Sequence, residues 1–451
     1  MRYEDLIHTT NRDLSGDDGM GNLVDVAQGT VDRRIFSDPA IYSEELRRIF
    51  ARCWLYLAHE SQLPVAGDFV QVFMGEEPVL VCRDTDGSIV ASLNTCRHRG
   101  NKVCRADLGN TKTFQCPYHG WTYNVRGDLI GVPGAADLYH DELNRSAWGL
   151  PRVAQVQTYR GMIFGTFDPQ APPLAEYLGD IRWGLDLLFD QGEMEAVPGI
   201  ARWTMDVNWK FASDNAIGDM YHAFWTHRSA ILAGHTAGNG HSRLDTLTPN
   251  HTNGITMVTA YGHGFNANFI DGSRIDLSAP MAAWRTNPKI QEALGPLRSR
   301  INRANMLIFP NLFVNSGSRE LMLRNPLGPA QMEIWKTILV DRNSSPELKR
   351  TAIRASNRHF GPAGMFEQDD GENWDQSTAA ARGTVAQRYP LNYGMGLRHG
   401  SIVDDGASPP RIDTLTNEHA QLWMYRVWEE FMQAPSWPAL RDSHLEPSET
   451  L

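Results

Sequence analysis

The chain has 451 residues, 41% of them apolar, with 13 tryptophans, which is more than one hydrophobic core usually supports, so two or more domains are expected. Its net charge of −11, from 42 basic and 53 acidic side chains with no Lys/Arg run among them, excludes a basic nucleic-acid-binding face. No apolar stretch approaches the roughly 20 residues that span a bilayer, and the N-terminal MRYEDLIHTT has no signal-like apolar segment, so a cytoplasmic protein is expected.

Residues 39–57 (PAIYSEELRRIFARCWLYL) recur apolar at helical spacing and predict one amphipathic helix. From about Pro64 to Phe167 the texture changes to short β-branched and aromatic runs (DFVQVFM, PVLVC, SIVASLNTC, MIFGTF). They are separated by the turn signals Asp86-Gly87, Arg126-Gly127-Asp128 and Arg160-Gly161, which predicts an all-β module. LAEYLGDIRWGLDLL then reads as a helix. Beyond Ala201, strands (GITMVTAYG, NLFVNSG, MEIWKTILV) alternate with helices (SPELKRTAIRASNRHF, NEHAQLWMYRVWEEFMQ), as in an α+β domain with an antiparallel sheet, and the polar stretch around 234–253 reads as a long loop. The divisions are 1–55, 56–167 and 168–451.

All five cysteines (Cys53, Cys82, Cys96, Cys104 and Cys116) lie in the first 116 residues, too few for a disulfide scaffold. Two of them, Cys96 and Cys116, sit in NTCRHRGN and QCPYHGW, with 17 residues between His98 and Cys116. Each half offers one thiolate and one imidazole. A structural zinc site usually pairs Cys with Cys and His with His. Mixed halves suit a Rieske [2Fe–2S] cluster, in which two Cys hold one iron and two His the other. Cys96, His98, Cys116 and His119 are the candidate ligands, and Cys53, Cys82 and Cys104 read as small buried hydrophobes.

A second constellation lies in NWKFASDNAIGDMYHAFWTH. His222 and His227 are five apart, roughly 140° around an ideal helix, so they meet at one metal only if the helix ends or unwinds between them. The alternative is a pair of core histidines. Asp219, three residues before His222, is placed to accept a hydrogen bond from its ring. Two His and a carboxylate with open positions form the facial triad of non-haem Fe(II) oxygenases. FEQDDGENW offers Glu367, Asp369, Asp370 and Glu372 as the third ligand, or else is a solvated turn, and spacing does not choose among them.

Taken in order, CRHRGN, CPYHGW, NWK, GDMYHAFWTH and FGPAGMFEQDDGENW resemble the large (alpha) subunit of Rieske non-haem iron aromatic-ring-hydroxylating dioxygenases, the naphthalene, biphenyl and polycyclic-hydrocarbon group. The resemblance implies a Rieske domain inserted into a helix-grip catalytic domain that also takes in the N-terminal helical part. It implies a mononuclear iron on His222, His227 and Asp370, and Asp219 as an electron bridge from His119 of one subunit to His222 of the next. It further implies a trimeric ring of alpha subunits, usually with a small beta subunit, and a separate ferredoxin and reductase. The chain has no GxGxxG dinucleotide turn of its own. The reaction implied is cis-dihydroxylation of an aromatic ring with O2. Pocket positions of the family fall on Asn215, Ala216, Met220, Leu321, Phe360 and Phe366. Their apolar character suits a neutral aromatic hydrocarbon, and the small Ala216 suggests room for a larger ring system. Arg319 and Arg324, read as sharing a strand, raise the alternative of a phthalate- or benzoate-like acid. A Rieske monooxygenase or demethylase is the other alternative.

Overall fold

The computed structural model describes residues 22–233, 252–270, 280–445 and 447. The predicted loop at 234–253 lies almost wholly outside them. Two compact units emerge, one formed by residues 1–49 with 176–451 and the other by residues 50–175, so the second is an insertion in the chain of the first. It is somewhat longer at both ends than the 56–167 suggested by sequence texture.

The helix predicted over 39–57 is cut short. Asp38 caps α1 (Pro39–Glu45), accepting from the Ala40 amide, and a single π-turn follows at Leu46–Phe50. The chain then turns extended as β1 (Leu55–His59), which is buried at every position. A short apolar run does not reveal by periodicity whether it is helix or strand, and pairing decides. Here β1 pairs antiparallel with a strand a hundred residues later.

In the inserted unit, β2 (Asp68–Met74), β3 (Glu77–Arg83), β4 (Ile89–Leu93) and β5 (Leu108–Asn110) form a four-stranded antiparallel sheet in the order β4-β3-β2-β5. A second sheet, β6 (Thr113–Gln115), β7 (Thr122–Asn124) and β8 (Leu129–Gly131), carries the second Cys-His loop at its β6–β7 hairpin. A third contains β9 (Gln155–Tyr159), β10 (Met162–Thr166) and β1. The Arg160-Gly161 turn between β9 and β10 has positive φ at both residues, the backbone of a type I′ hairpin. Cys82, Cys96 and Cys116 share one buried cluster with Phe69, Phe114, Trp121 and Tyr123.

The larger unit is built on a ten-stranded antiparallel sheet. The predicted helix at 174–188 breaks into α2 (Leu174–Leu178) and α3 (Ile181–Phe189), with Gly179 at φ 46 between them. The elements that position the site are α4 (Trp209–Ala216), the single turn α5 (Ala223–Thr226) and α6 (Arg228–Leu232). The sheet runs centrally through β11 (Gly254–Val258), β12 (Gly264–Phe269), β13 (Ile301–Ile308), β14 (Leu312–Asn315), β15 (Glu320–Gly328) and β16 (Gln331–Asp341), each paired with the next. Then come α7 (Pro346–His359), α8 (Met365–Ala381) and α9 (His419–Gln433). Asn208 caps α4 by accepting from the Lys210 amide, and α4 lies against β13, β14 and β15 on one side and α8 and α9 on the other. A helix gripped between sheet and helices is thereby fixed in rotation.

One buried carboxylate locks α4 further. Glu45, at the end of α1 and fully buried, accepts from Trp209 Nε1 (2.9 Å), Lys210 Nζ (2.5 Å) and Trp428 Nε1 (2.8 Å). A buried charge is tolerated only when paired and hydrogen-bonded, and here the pairing joins α1, α4 and α9. These bonds tie the N-terminal helical part to the larger unit.

Candidate functional site: two metal centres and an aromatic cavity

The two Cys-His loops have the same backbone. Cys96 accepts on its carbonyl from the Gly100 amide (2.9 Å) and donates its own amide to Asn101 (2.9 Å); Cys116 does the same with Gly120 (2.9 Å) and Trp121 (2.8 Å). Both glycines lie at positive φ, 73 and 75, where a side chain is strained. A Cβ on Gly120 would also fall 2.9 Å from the Pro133 ring. The loops therefore present matching thiols and imidazoles. Both cysteines are buried, and the His98 and His119 rings stand 4.5 Å apart by centroid. His98 is stacked on Trp121 at 5.1 Å, nearly parallel. Its Nδ1 is buried with no hydrogen-bond partner, an open valence that fits an iron ligand. Two buried sulfurs and two paired imidazoles match the donor set of a Rieske cluster. Sequence reading missed Tyr123, whose hydroxyl lies 3.3 Å from Cys96 Sγ and accepts from the Arg97 amide at 3.2 Å. Of the remaining cysteines, Cys53 and Cys82 are buried and Cys104 is partly exposed. Burial pushes the Cys82 thiol up to about 12, which keeps it inert.

In the larger unit α4 ends at Ile217 and the chain reverses at Gly218, where φ is 140 and a Cβ would sit 2.4 Å from Asn266 Cβ. Asp219 then donates its amide to the Asn215 carbonyl of α4 (3.2 Å), and Asn215 Nδ2 lies 3.3 Å from the His222 ring. His222 and His227 bracket the single turn of α5, and His227 leaves helical geometry at φ −91, ψ 12. The expected unwinding is this junction between two short helices. It brings the two Nε2 atoms to 3.3 Å. The FEQDD run is not a surface turn but lies in α8, where Asp370 is buried and aims Oδ1 at both rings, 3.2 Å from His222 Nε2 and 3.3 Å from His227 Nε2. Among the described residues these three form one group of potential metal donors, all within 4.8 Å of one another.

Outer carboxylates hold both imidazoles. Asp219 Oδ2 lies 3.2 Å from His222 Nδ1, while its Oδ1 accepts from the Tyr221 and His222 amides. Asp369 Oδ2 lies 3.2 Å from His227 Nδ1. Sequence reading weighed Asp369 only as a ligand; the structure gives it the hydrogen-bonding role, which a neighbouring position on the same helix gave no means to separate. Burial alone lowers the His222 pKa, but Asp370 and Asp219 outweigh it and raise the pKa well above the ordinary range. The donor set thus draws positive charge, and a divalent iron with two neutral imidazoles and a carboxylate fits it.

A cavity of ≈ 80 Å³ touches all three of these donors and runs between α4, α5, α8 and the sheet. Asn215, Met220, Phe360 and Phe366 line it. Ala216 and Leu321 do not: both are buried in the core, and the larger-ring argument from Ala216 loses its basis. Arg319 is also elsewhere. It sits at φ 54 in the turn before β15 rather than on the strand, and its Nε donates to Gln191 (3.1 Å). Arg324 does line the cavity, together with Arg303 and Glu367, which sequence reading did not place there. A larger depression of ≈ 370 Å³ reaches His222 and Asp370 past Asp214, Asp219 and Glu418 but does not touch His227.

A domain with Rieske loops and a two-His, one-carboxylate site in the same chain define an iron-dependent oxygenase. Residues 53–159 match the Rieske [2Fe-2S] domain family and residues 188–434 the ring hydroxylating alpha subunit (catalytic domain) family. The chain is 39% identical to the biphenyl 2,3-dioxygenase subunit alpha of Rhodococcus jostii over 437 residues, covering 94% of this chain and 93% of the relative. It is 37% identical to the benzene 1,2-dioxygenase subunit alpha of Pseudomonas putida, covering 93% and 94%. The solved structure of naphthalene 1,2-dioxygenase from Rhodococcus sp. bound to indole superposes with a TM-score of 0.82 at 32% identity, covering 97% of this chain and all of that one. The protein belongs to the Rieske aromatic ring-hydroxylating dioxygenases, as an alpha subunit. Among the described residues no helix is long and apolar enough to cross a membrane.

Proposed function

We propose that this chain is the terminal oxygenase subunit that adds both atoms of O2 to one aromatic ring as a cis-dihydrodiol, with His222, His227 and Asp370 as the mononuclear iron ligands. The observation that carries the reading is the convergence of these three donors at one end of an aromatic-walled cavity. When bound, a [2Fe–2S] cluster on Cys96, His98, Cys116 and His119 supplies single electrons, and mononuclear iron supplies the centre at which O2 is activated. The rest is done by side chains. Asp219 and Asp369 accept the Nδ1 protons of His222 and His227, which orients both rings with Nε2 toward Asp370. Phe360 and Phe366 wall the cavity against water, with the Phe366 ring 4.3 Å from that of His227. Asp219 is partly exposed, and we assign it the bridging position between His222 and His119 of the partner subunit. The working assembly is then a ring of three alpha subunits, with beta subunits as α3β3, supplied by a ferredoxin and an NAD(P)H-dependent reductase in the cytoplasm.

The purified subunit, reconstituted with these partners under 18O2, is expected to return a dihydrodiol carrying two labelled oxygens. A single label would make it a monooxygenase and overturn the reading.

A further inference from the structure

The cavity beside the candidate iron site is not lined as a hydrocarbon pocket would be. Arg324 projects from β15 into it, only 2% exposed, with its guanidinium carbon 4.9 Å from the Phe313 ring centre and 5.4 Å from that of Trp374. Its Nε and Nη1 are buried without a hydrogen-bond partner. Both oxygens of nearby Glu367 are likewise unpartnered, so the two side chains do not form an ion pair. Arg303, from β13, lines the same cavity, with the Glu320 carboxylate near enough to favour its charge against burial. Burial lowers the Arg324 pKa only to about 10, so it stays cationic at neutral pH. Native proteins rarely leave a buried charge without a partner, because water is lost and nothing replaces it. The two rings lie within cation–π range of the guanidinium, and neither supplies the hydrogen-bond acceptor that its buried nitrogens lack. A planar fork of N–H donors is the matched partner of a carboxylate.

We infer that the substrate of this enzyme is an aromatic carboxylic acid, held by its carboxylate on Arg324 with help from Arg303, while Phe360 and Phe366 hold the ring toward His222, His227 and Asp370. This names the substrate class within the dioxygenase reading and rests on it. The cavity's ≈ 80 Å³ suits a single ring, being space for about half a dozen waters by a measure in which one needs roughly 10–15 Å³.

The test is equilibrium binding to the anaerobic holoenzyme by calorimetry, with benzoate and phthalate against the neutral isostere benzamide and against toluene. The acids are expected to bind about 30-fold or more tighter than benzamide, the scale of a desolvated charge pair. Arg324→Gln is expected to abolish that preference and Arg303→Gln to reduce it. The wild-type comparison needs no variant and so stands even if Arg324→Gln fails to fold. Equal binding of acid and amide, with toluene or biphenyl converted to dihydrodiols, would overturn the acid assignment and leave the dioxygenase reading intact. Failure of any arene, acid or neutral, to be dihydroxylated would overturn the dioxygenase reading itself.

Discussion

In the Rieske unit each candidate cysteine opens a loop closed by the same two backbone hydrogen bonds, and its histidine sits inside that loop. In the catalytic unit the two histidines bracket one helical turn, and the carboxylate arrives from α8, far along the chain. The first centre is assembled by local backbone geometry and the second by packing of helices against a sheet. A centre of the first kind depends on turn-forming glycines; one of the second depends on buried connections such as Glu45 that hold its helices in place. The two should also be separable in composition, since neither borrows a ligand from the other.

The largest effects test that separability. Cys116→Ser is expected to remove the cluster and leave the mononuclear iron, so that iron falls from about three per chain to about one; His222→Ala should leave about two. Either change should reduce turnover by about a thousandfold or more, as expected when an essential group is lost. Iron analysis with visible absorption reads both. Loss of all iron from a single substitution would show that the two centres fold as one and would break the comparison.

The same contrast explains what could be read from the sequence. Cys96, His98, Cys116 and His119 were legible because the motif is the loop. His222 and His227 were legible as a pair, but the carboxylate was not fixed by spacing, since Glu367, Asp369, Asp370 and Glu372 all lie within one helix whose rotation depends on tertiary packing. The extended course of residues 55–59 was missed because its pairing partner is distant. Arg319 and Arg324 looked equivalent, and only the positive φ at Arg319 separates the residue in the turn from the one that reaches the cavity. Ala216 follows Asn215, which lines it, and Leu321 lies three residues before Arg324, an odd spacing that turns it to the opposite face of the strand; both are buried in the core.

Within the packed centre, the two outer carboxylates sharpen the comparison at the next scale. Asp369→Ala deprives His227 Nδ1 of its acceptor and is expected to weaken mononuclear iron binding by about 10–100-fold with the cluster untouched. Asp219→Asn keeps one accepting oxygen, turns the other into an NH2 that cannot accept from the His222 ring or the amides, and loses the charge. It should retain both metals and lose coupled turnover. Metal titration and turnover measured on both variants read this split; full dihydrodiol formation by Asp219→Asn would remove Asp219 from the bridging role.

The smallest expected effect belongs to the local centre, where Tyr123 is the counterpart of those carboxylates. Its hydroxyl accepts from the Arg97 amide, which leaves its own proton directed at Cys96 Sγ 3.3 Å away. Burial, and then the adjacent Cys96, raise its pKa far above the ordinary phenol, so it remains a donor at any working pH. A proton donated to a ligand sulfur stabilises the more negative, reduced cluster. A hydrogen bond worth about 1 kcal/mol corresponds to roughly 40 mV for a one-electron couple. Tyr123→Phe should therefore lower the cluster potential by some tens of millivolts, as read by protein-film voltammetry, with iron content unchanged. Because the loop closes through its own backbone, removing the hydroxyl should tune this centre without dismantling it; loss of the cluster in Tyr123→Phe would mean that the loop also depends on packing, as the catalytic centre does.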